Sequence, residues 1–285
     1  MPFISTKDKT NLYVKTWGAG RPVILLHGWP LSADSWDDHA LAIADAGYRA
    51  VAYDRRGFGR SDQPWVGYDY DTLSDDLSAV IESTGSSEVS LFGFSMGGGE
   101  IARYMSRHEG RGVVQAALIA SVVPFMLKTP DNPNGTDQSI FDGMAQKMKE
   151  DRAAFFTGFF QDFYGVGLVS QPVSDEVIQA SWMVAMQAGL KPTLECANSF
   201  ATTDFRPDLP SFKVPTLIIH GDGDKTVPID ASARAAAGSI ANSRLIEYEG
   251  APHGLLASHK DKIREDLLRF LADYTSEPTA RIART

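Results

Sequence analysis

Ser95 stands in Gly93-Phe94-Ser95-Met96-Gly97, a Gly-x-Ser-x-Gly pattern that follows the apolar run Val89-Ser90-Leu91-Phe92 and precedes the helix-like stretch Gly98 to Arg107. A serine hydroxyl is almost wholly protonated near neutral pH, so it attacks a carbonyl only with a base in hydrogen-bond reach. Imidazole suits, because its unperturbed pKa is about 6.5. His253, in Gly250-Ala-Pro-His-Gly254, is the expected base. Asp224, in His220-Gly-Asp-Gly-Asp-Lys-Thr-Val-Pro228, follows a predicted strand end, where it can accept from the imidazole and fix its tautomer. Three motifs in the order Ser, Asp, His point to acyl transfer through an acyl-serine. Asp222, two residues earlier, is the nearest rival acid; its plainer reading is hydrogen bonding within the turn.

Acyl transfer also needs donors for the developing oxyanion, and removing one lowers the rate on the order of a hundred- to a thousandfold. The expected donors are the backbone amides of Met96, directly after the nucleophile, and of Trp29, directly after His27-Gly28. The other histidines receive blander roles. His27 and His220 each precede a glycine at a predicted strand end, which suggests structural hydrogen bonding, while His39, His108 and His259 lie in mixed-polarity helical stretches and are expected at the surface. No histidine or cysteine spacing suggests a metal site, and Asp75-Asp76 is expected on a solvated helix face.

Short β-branched and apolar runs must position these residues: Val23 to Leu26, Ala50 to Tyr53, Val89 to Phe92, Val113 to Ile119 and Thr216 to Ile219. Each is followed by a turn and a longer amphipathic stretch, which predicts an α/β fold with a mainly parallel sheet covered by helices. Leu12 to Trp17 precedes a Gly-Ala-Gly turn and is expected antiparallel beside the first parallel strand. Arg244 to Tyr248 adds a late strand and a short one near Phe3 brings the count to about eight. Residues 124–210 change character, to Pro- and Gly-punctuated helical segments rich in Phe and Met, and read as a helical cap inserted between core segments 1–123 and 211–285. Thr129 to Thr136 is expected to be a flexible loop at the cap entrance, its Asn134-Gly135-Thr136 a turn rather than a glycosylation acceptor. Residues from about 274 to 285 lack periodic apolar positions and are expected to fray.

The 285-residue length suffices for one large core, and a net charge of -9 argues against nucleic acid or an anionic membrane surface as partner. Small-molecule substrates are expected instead. The single cysteine, Cys196, has no partner for an internal disulfide and reads as a small apolar residue in a reducing compartment. The opening residues lack the basic start and apolar stretch of a secretory signal, and no run approaches the roughly 18 apolar residues of a membrane span, so a cytoplasmic location is expected. Symmetric homo-oligomers are common among such enzymes.

Taken together, the sequence resembles the bacterial cofactor-free haloperoxidases, also described as perhydrolases and aryl esterases, within the α/β-hydrolase superfamily. The resemblance covers nearly the whole chain. It rests on His27-Gly-Trp-Pro-Leu31, Tyr53-Asp-Arg-Arg-Gly-Phe-Gly-Arg-Ser-Asp-Gln-Pro-Trp65, Gly93-Phe-Ser-Met-Gly-Gly-Gly99, Thr203-Asp-Phe-Arg-Pro207, His220-Gly-Asp-Gly-Asp224 and Ala251-Pro-His-Gly254. It implies the α/β-hydrolase fold, ester hydrolysis, and formation of a peracid from a carboxylic acid or ester when hydrogen peroxide is the second nucleophile. The peracid then oxidises halide away from the protein, with neither haem, vanadium nor another cofactor. Some relatives hydrolyse lactams or lactones.

Positions matching the family's pocket are Val122, Met126, Met144, Phe159, Phe163 and Phe200, with Thr226, Val227 and Ile229 from the acid loop and Trp29 and Pro30 from the early loop. Most are apolar, so the resemblance favours short acyl groups and aromatic leaving groups. Pro30 restricts the residue before it and is expected to set where the Trp29 carbonyl points, toward a hydroperoxide attacking the acyl-enzyme. Dehalogenases and epoxide hydrolases of this fold carry aspartate at the nucleophile, against Ser95. A non-catalytic binding protein of the same fold is the rival from a different class.

Overall fold

The apolar runs form eight strands in one sheet, of order β1-β2-β4-β3-β5-β6-β7-β8, in a computed structural model that describes residues 2–274. The strands are β1 (Phe3–Ser5), β2 (Asn11–Gly18), β3 (Pro22–Leu26), β4 (Arg49–Tyr53), β5 (Val89–Phe94), β6 (Val113–Ile119), β7 (Thr216–Gly221) and β8 (Ser243–Tyr248). From β4 to β8 every neighbouring pair is parallel. One expectation is corrected here: β2 is antiparallel to β4, with Val14 opposite Tyr53, and does not lie beside β3. The burial patterns explain the order. All five residues of β3 are buried, which suits a strand with a neighbour on each edge, whereas β2 leaves residues partly exposed and takes a place nearer the sheet margin.

The helices are α1 (Asp37–Asp45), α2 (Tyr70–Ser83), α3 (Met96–Arg107), α4 (Gln138–Phe163), α5 (Asp175–Gln187), α6 (Leu190–Thr202), α7 (Ala233–Ser239), α8 (Leu255–Ser258) and α9 (Lys260–Ala272). Local chemistry sets several starts. Asp69 accepts from the Thr72 amide ahead of α2, and Ser174 accepts from Val177 ahead of α5, whose first turn carries Asp175 and Glu176. Between β6 and β7 the chain forms α4, α5, α6 and a 3-10 turn at Arg206–Ser211. Within α4 the backbone leaves helical geometry at Asp151 (φ -153°, ψ 90°), whose carboxylate accepts from the Ala154 amide at 2.9 Å and caps a second helical half. Buried Phe156, Phe160 and Phe163 all lie in that second half.

Three further expectations change. His39 is fully buried, with Nε2 3.0 Å from the Leu256 carbonyl, because α1 is packed between the sheet and α9 rather than lying free; His108 and His259 are half-buried. Asp76 is buried and doubly bonded to the Arg56 guanidinium at 2.6 Å, so only Asp75 of that pair meets solvent. The loop at 129–136, expected to be flexible, is pinned by the Asn132 side-chain amide, which donates to the carbonyls of Phe125 and Leu127. Cys196 is fully buried, and burial pushes its thiol up to about 12. Of the expected frayed tail, residues 275–285 lie outside the described residues. Among the described residues no helix is long and apolar enough to cross a membrane.

Candidate active site

Ser95 lies between β5 and α3 with φ 53° and ψ -117°, a left-handed conformation that points its hydroxyl out of a tight strand-to-helix turn. The turn closes because the residues two before and two after the serine, Gly93 and Gly97, have no side chain. A Cβ on Gly93 would fall 2.7 Å from the Gly97 and Gly98 backbone, and one on Gly97 would fall 2.6 Å from the Leu26 carbonyl oxygen of β3. The Ser95 amide donates to Ile119 of β6 at 2.8 Å, fixing the turn to the sheet. Met96 is the first residue of α3, so its amide has no carbonyl one helical turn earlier to serve.

His253 and Asp224 come from loops after β8 and β7 and converge on this serine. His253 Nε2 is 2.9 Å from Ser95 Oγ, and His253 Nδ1 is 2.6 Å from Asp224 Oδ2. The other carboxylate oxygen, Oδ1, accepts from the amides of Thr226 and Val227, each at 2.8 Å. Burial by itself would raise the Asp224 carboxyl, but His253 and His220 outweigh it and hold it well below the usual carboxylate range. Asp222 does not take this place. It accepts from the Gly250 amide at 2.5 Å and so ties the acid loop to the histidine loop. Phe94 and Phe163 pack against the imidazole, with ring centroids at 5.3 and 4.9 Å, and the Gly254 amide donates to the Phe163 carbonyl.

The early loop abuts the serine: a Cβ on Gly28 would lie 3.0 Å from Ser95 Cβ. The Gly28 carbonyl accepts from the Leu31 amide at 2.9 Å and from His27 Nδ1 at 3.0 Å, closing a turn whose Trp29-Pro30 bond is cis. His27 Nε2 in turn accepts from the Arg55 amide, which fixes the ring as the Nδ1–H tautomer. Burial and the Arg55 charge push the imidazole well below its ordinary pKa. With the Gly28 carbonyl held from one side, the N–H of the same planar peptide, that of Trp29, points away from both donors. Arg55 also donates to the His27 carbonyl at 2.7 Å and pairs with buried Glu100, which accepts from the Tyr53 hydroxyl. Sequence reasoning missed this network; the adjacent arginines after Tyr53-Asp54, too polar for a strand end without partners, were its signal.

A cavity of about 710 Å³ opens over Ser95 and His253. Of the residues expected to line it, Trp29, Val122, Met126, Met144, Phe159, Phe200, Thr226 and Val227 do. Three do not. Pro30 and Ile229 are buried behind the wall, and Phe163 backs the imidazole instead. Phe141 and Phe155 were missed, although they lie three and four residues before Met144 and Phe159 on the same helix faces. The Trp29 indole donates to the Thr193 carbonyl of α6 at 3.0 Å and its ring meets Phe156, Phe159 and Phe200, joining the early loop to the inserted helices. Among the described residues no cluster of His, Cys, Asp or Glu could hold a metal ion.

Comparison with known proteins bears on the fold and the family. A family model described as alpha/beta hydrolase fold matches residues 21–260. The chain is 40% identical over 273 residues to the non-heme chloroperoxidase CPO-A1 of Kitasatospora aureofaciens, covering 95% of this chain and 99% of that one. It is 39% identical over 274 residues, with the same coverage, to the bifunctional esterase/perhydrolase DCH of Acinetobacter calcoaceticus. Among solved structures, the bromoperoxidase from Bacillus anthracis superposes with a TM-score of 0.91 at 41% identity, over 95% of this chain and 99% of that one. The chain therefore belongs to the α/β-hydrolase fold family, and within it to the non-heme haloperoxidases and perhydrolases.

Proposed function

We propose that the protein is a serine esterase that works through an acyl-serine and turns over with either water or hydrogen peroxide. The observation that carries this reading is the unbroken relay from Ser95 Oγ through His253 to Asp224, at 2.9 and 2.6 Å, facing a cavity lined by both apolar and charged side chains. His253 Nε2 takes the hydroxyl proton as Oγ bonds to the ester carbonyl carbon. The oxyanion so formed is held by the amides of Met96 and Trp29, aimed before reaction and shielded from water. As the tetrahedral adduct collapses, the protonated imidazole gives its proton to the departing alkoxide. Water then attacks the acyl-serine with His253 as base, and Ser95 leaves with the proton.

Hydrogen peroxide in place of water releases a peracid by the same steps, and that peracid oxidises halide in solution. The Trp29 carbonyl, in the loop that abuts Ser95, is the proposed acceptor for the outer hydroxyl of the attacking peroxide. Its test is the ratio of perhydrolysis to hydrolysis in Pro30→Ala, which falls on this reading and stays constant if Pro30 only shapes the turn. The wider reading is tested with Ser95→Ala. Phenyl acetate turnover drops on the order of 10⁴-fold or more and fluorophosphonate labelling is lost. A folded parent that neither labels nor turns over aryl acetates would favour the binding-protein alternative.

A further inference from the structure

A second imidazole approaches the same oxygen of the catalytic acid as His253. His220 closes β7, is fully buried, and places Nε2 2.9 Å from the Val227 carbonyl and 3.2 Å from Asp224 Oδ2. Both neighbours are acceptors, so Nε2 carries a proton, directed at the Val227 carbonyl with Asp224 Oδ2 close beside it. The opposite ring nitrogen, Nδ1, is buried with no hydrogen-bond partner, so a second proton there would be both desolvated and unpaired. The Nε2 edge of His220 thus lies between the acid loop's backbone and the catalytic carboxylate.

We propose that His220 is a positioning residue for the catalytic acid, holding the Asp224 carboxylate by a shared hydrogen bond so that Oδ2 meets His253 Nδ1 and stays a poor proton acceptor. The inference rests on the acyl-serine reading of the site and adds to it a fourth donor. Two amides occupy Oδ1 and two imidazoles share Oδ2. Each donor stabilises the ionised carboxylate, so the proton on His253 during attack remains on the imidazole. The same N–H fixes the Val227 carbonyl, and Val227 both donates to Oδ1 and lines the substrate cavity. The charged group facing His220 from β8 is Glu247, its register partner, which is paired with Arg234; Asp224 and His253 face it from the loops.

The experiment compares the pH dependence of kcat/KM for phenyl acetate in the parent, His220→Phe and His220→Gln. Phenylalanine keeps the ring volume and removes the donor. The carboxylate then attracts the His253 proton more strongly, so the acidic limb moves upward by roughly half a pH unit or more. The plateau falls about tenfold through kcat, with KM little changed. Glutamine returns an N–H near the Nε2 position and restores both. Profiles that superimpose, or a glutamine variant no better than phenylalanine, overturn the proposal in favour of plain packing. Should the phenylalanine variant fail to fold, ¹⁵N spectra of the unmutated protein decide. A proton on Nε2 and none on Nδ1 of His220 between pH 6 and 8 is expected, and a proton on Nδ1 overturns it. That spectrum needs no turnover, so an esterase reading that fails leaves its own mark, an inactive parent.

Discussion

At Asp224 one oxygen faces the imidazoles of His253 and His220 and the other accepts from two amides. Asp224→Asn keeps the shape but offers an N–H or an uncharged oxygen to His253, and kcat for phenyl acetate falls on the order of 10⁴-fold with the fold intact by circular dichroism. Cys196 gives the opposite kind of prediction. It is fully buried with its thiol pushed up to about 12, so at pH 8 it neither ionises nor meets solvent. Ellman's reagent reacts with it only after denaturation; rapid labelling of the native protein contradicts the packing described. Its surroundings include Arg55 and Glu100, yet the desolvation of a thiolate outweighs the guanidinium beside it.

Elements meet closely where β5 turns into α3. Gly97 brings the first turn of that helix against the Leu26 backbone of β3, and a Cβ there would meet carbonyl oxygen rather than a yielding side chain. Gly97→Ala therefore lowers stability by about 1–3 kcal/mol in urea unfolding and slows fluorophosphonate labelling of Ser95, because α3 must retreat and carry the Met96 amide with it. The inserted helices are joined to this region through the Trp29 indole and Thr193. Trp29→Phe removes that hydrogen bond but leaves the backbone amide, so KM for aryl acetates rises several-fold while kcat changes less. Equal losses in kcat and kcat/KM would place the indole in transition-state binding instead.

For the whole molecule, the buried imidazoles of His27 and His39 add to the loss of stability in acid. Burial, aided by Arg55 at His27, lowers the folded-state pKa of both His27 and His39 below 6.5, the value each recovers on unfolding. The unfolded chain binds protons that the folded one refuses, so this stability is complete above pH 6.5 and is lost as pH falls below it. Each histidine contributes a slope of about 1.4 kcal/mol per pH unit until its folded pKa is reached. Urea midpoints should fall from pH 7.5 to 5.5, and His39→Gln, which can still donate to Leu256, should make the decline shallower. A midpoint independent of pH across this range rules the explanation out.

The triad motifs, the glycines of the elbow and the alternation of apolar runs with amphipathic stretches were legible from residue order, because each is a local requirement of backbone geometry or period. Tertiary structure alone decided what depends on residues far apart in the chain. It tied Asp222 to the Gly250 amide, placed β4 between β2 and β3, buried His39 and Asp76, and turned Phe163 and Ile229 away from the cavity. It also brought His220 against the catalytic carboxylate and Arg55 against the loop of Trp29. Motif spacing fixes which side chains lie at strand ends. Which of their atoms meet is set by packing between strands and helices distant in sequence, and that packing has no local signature.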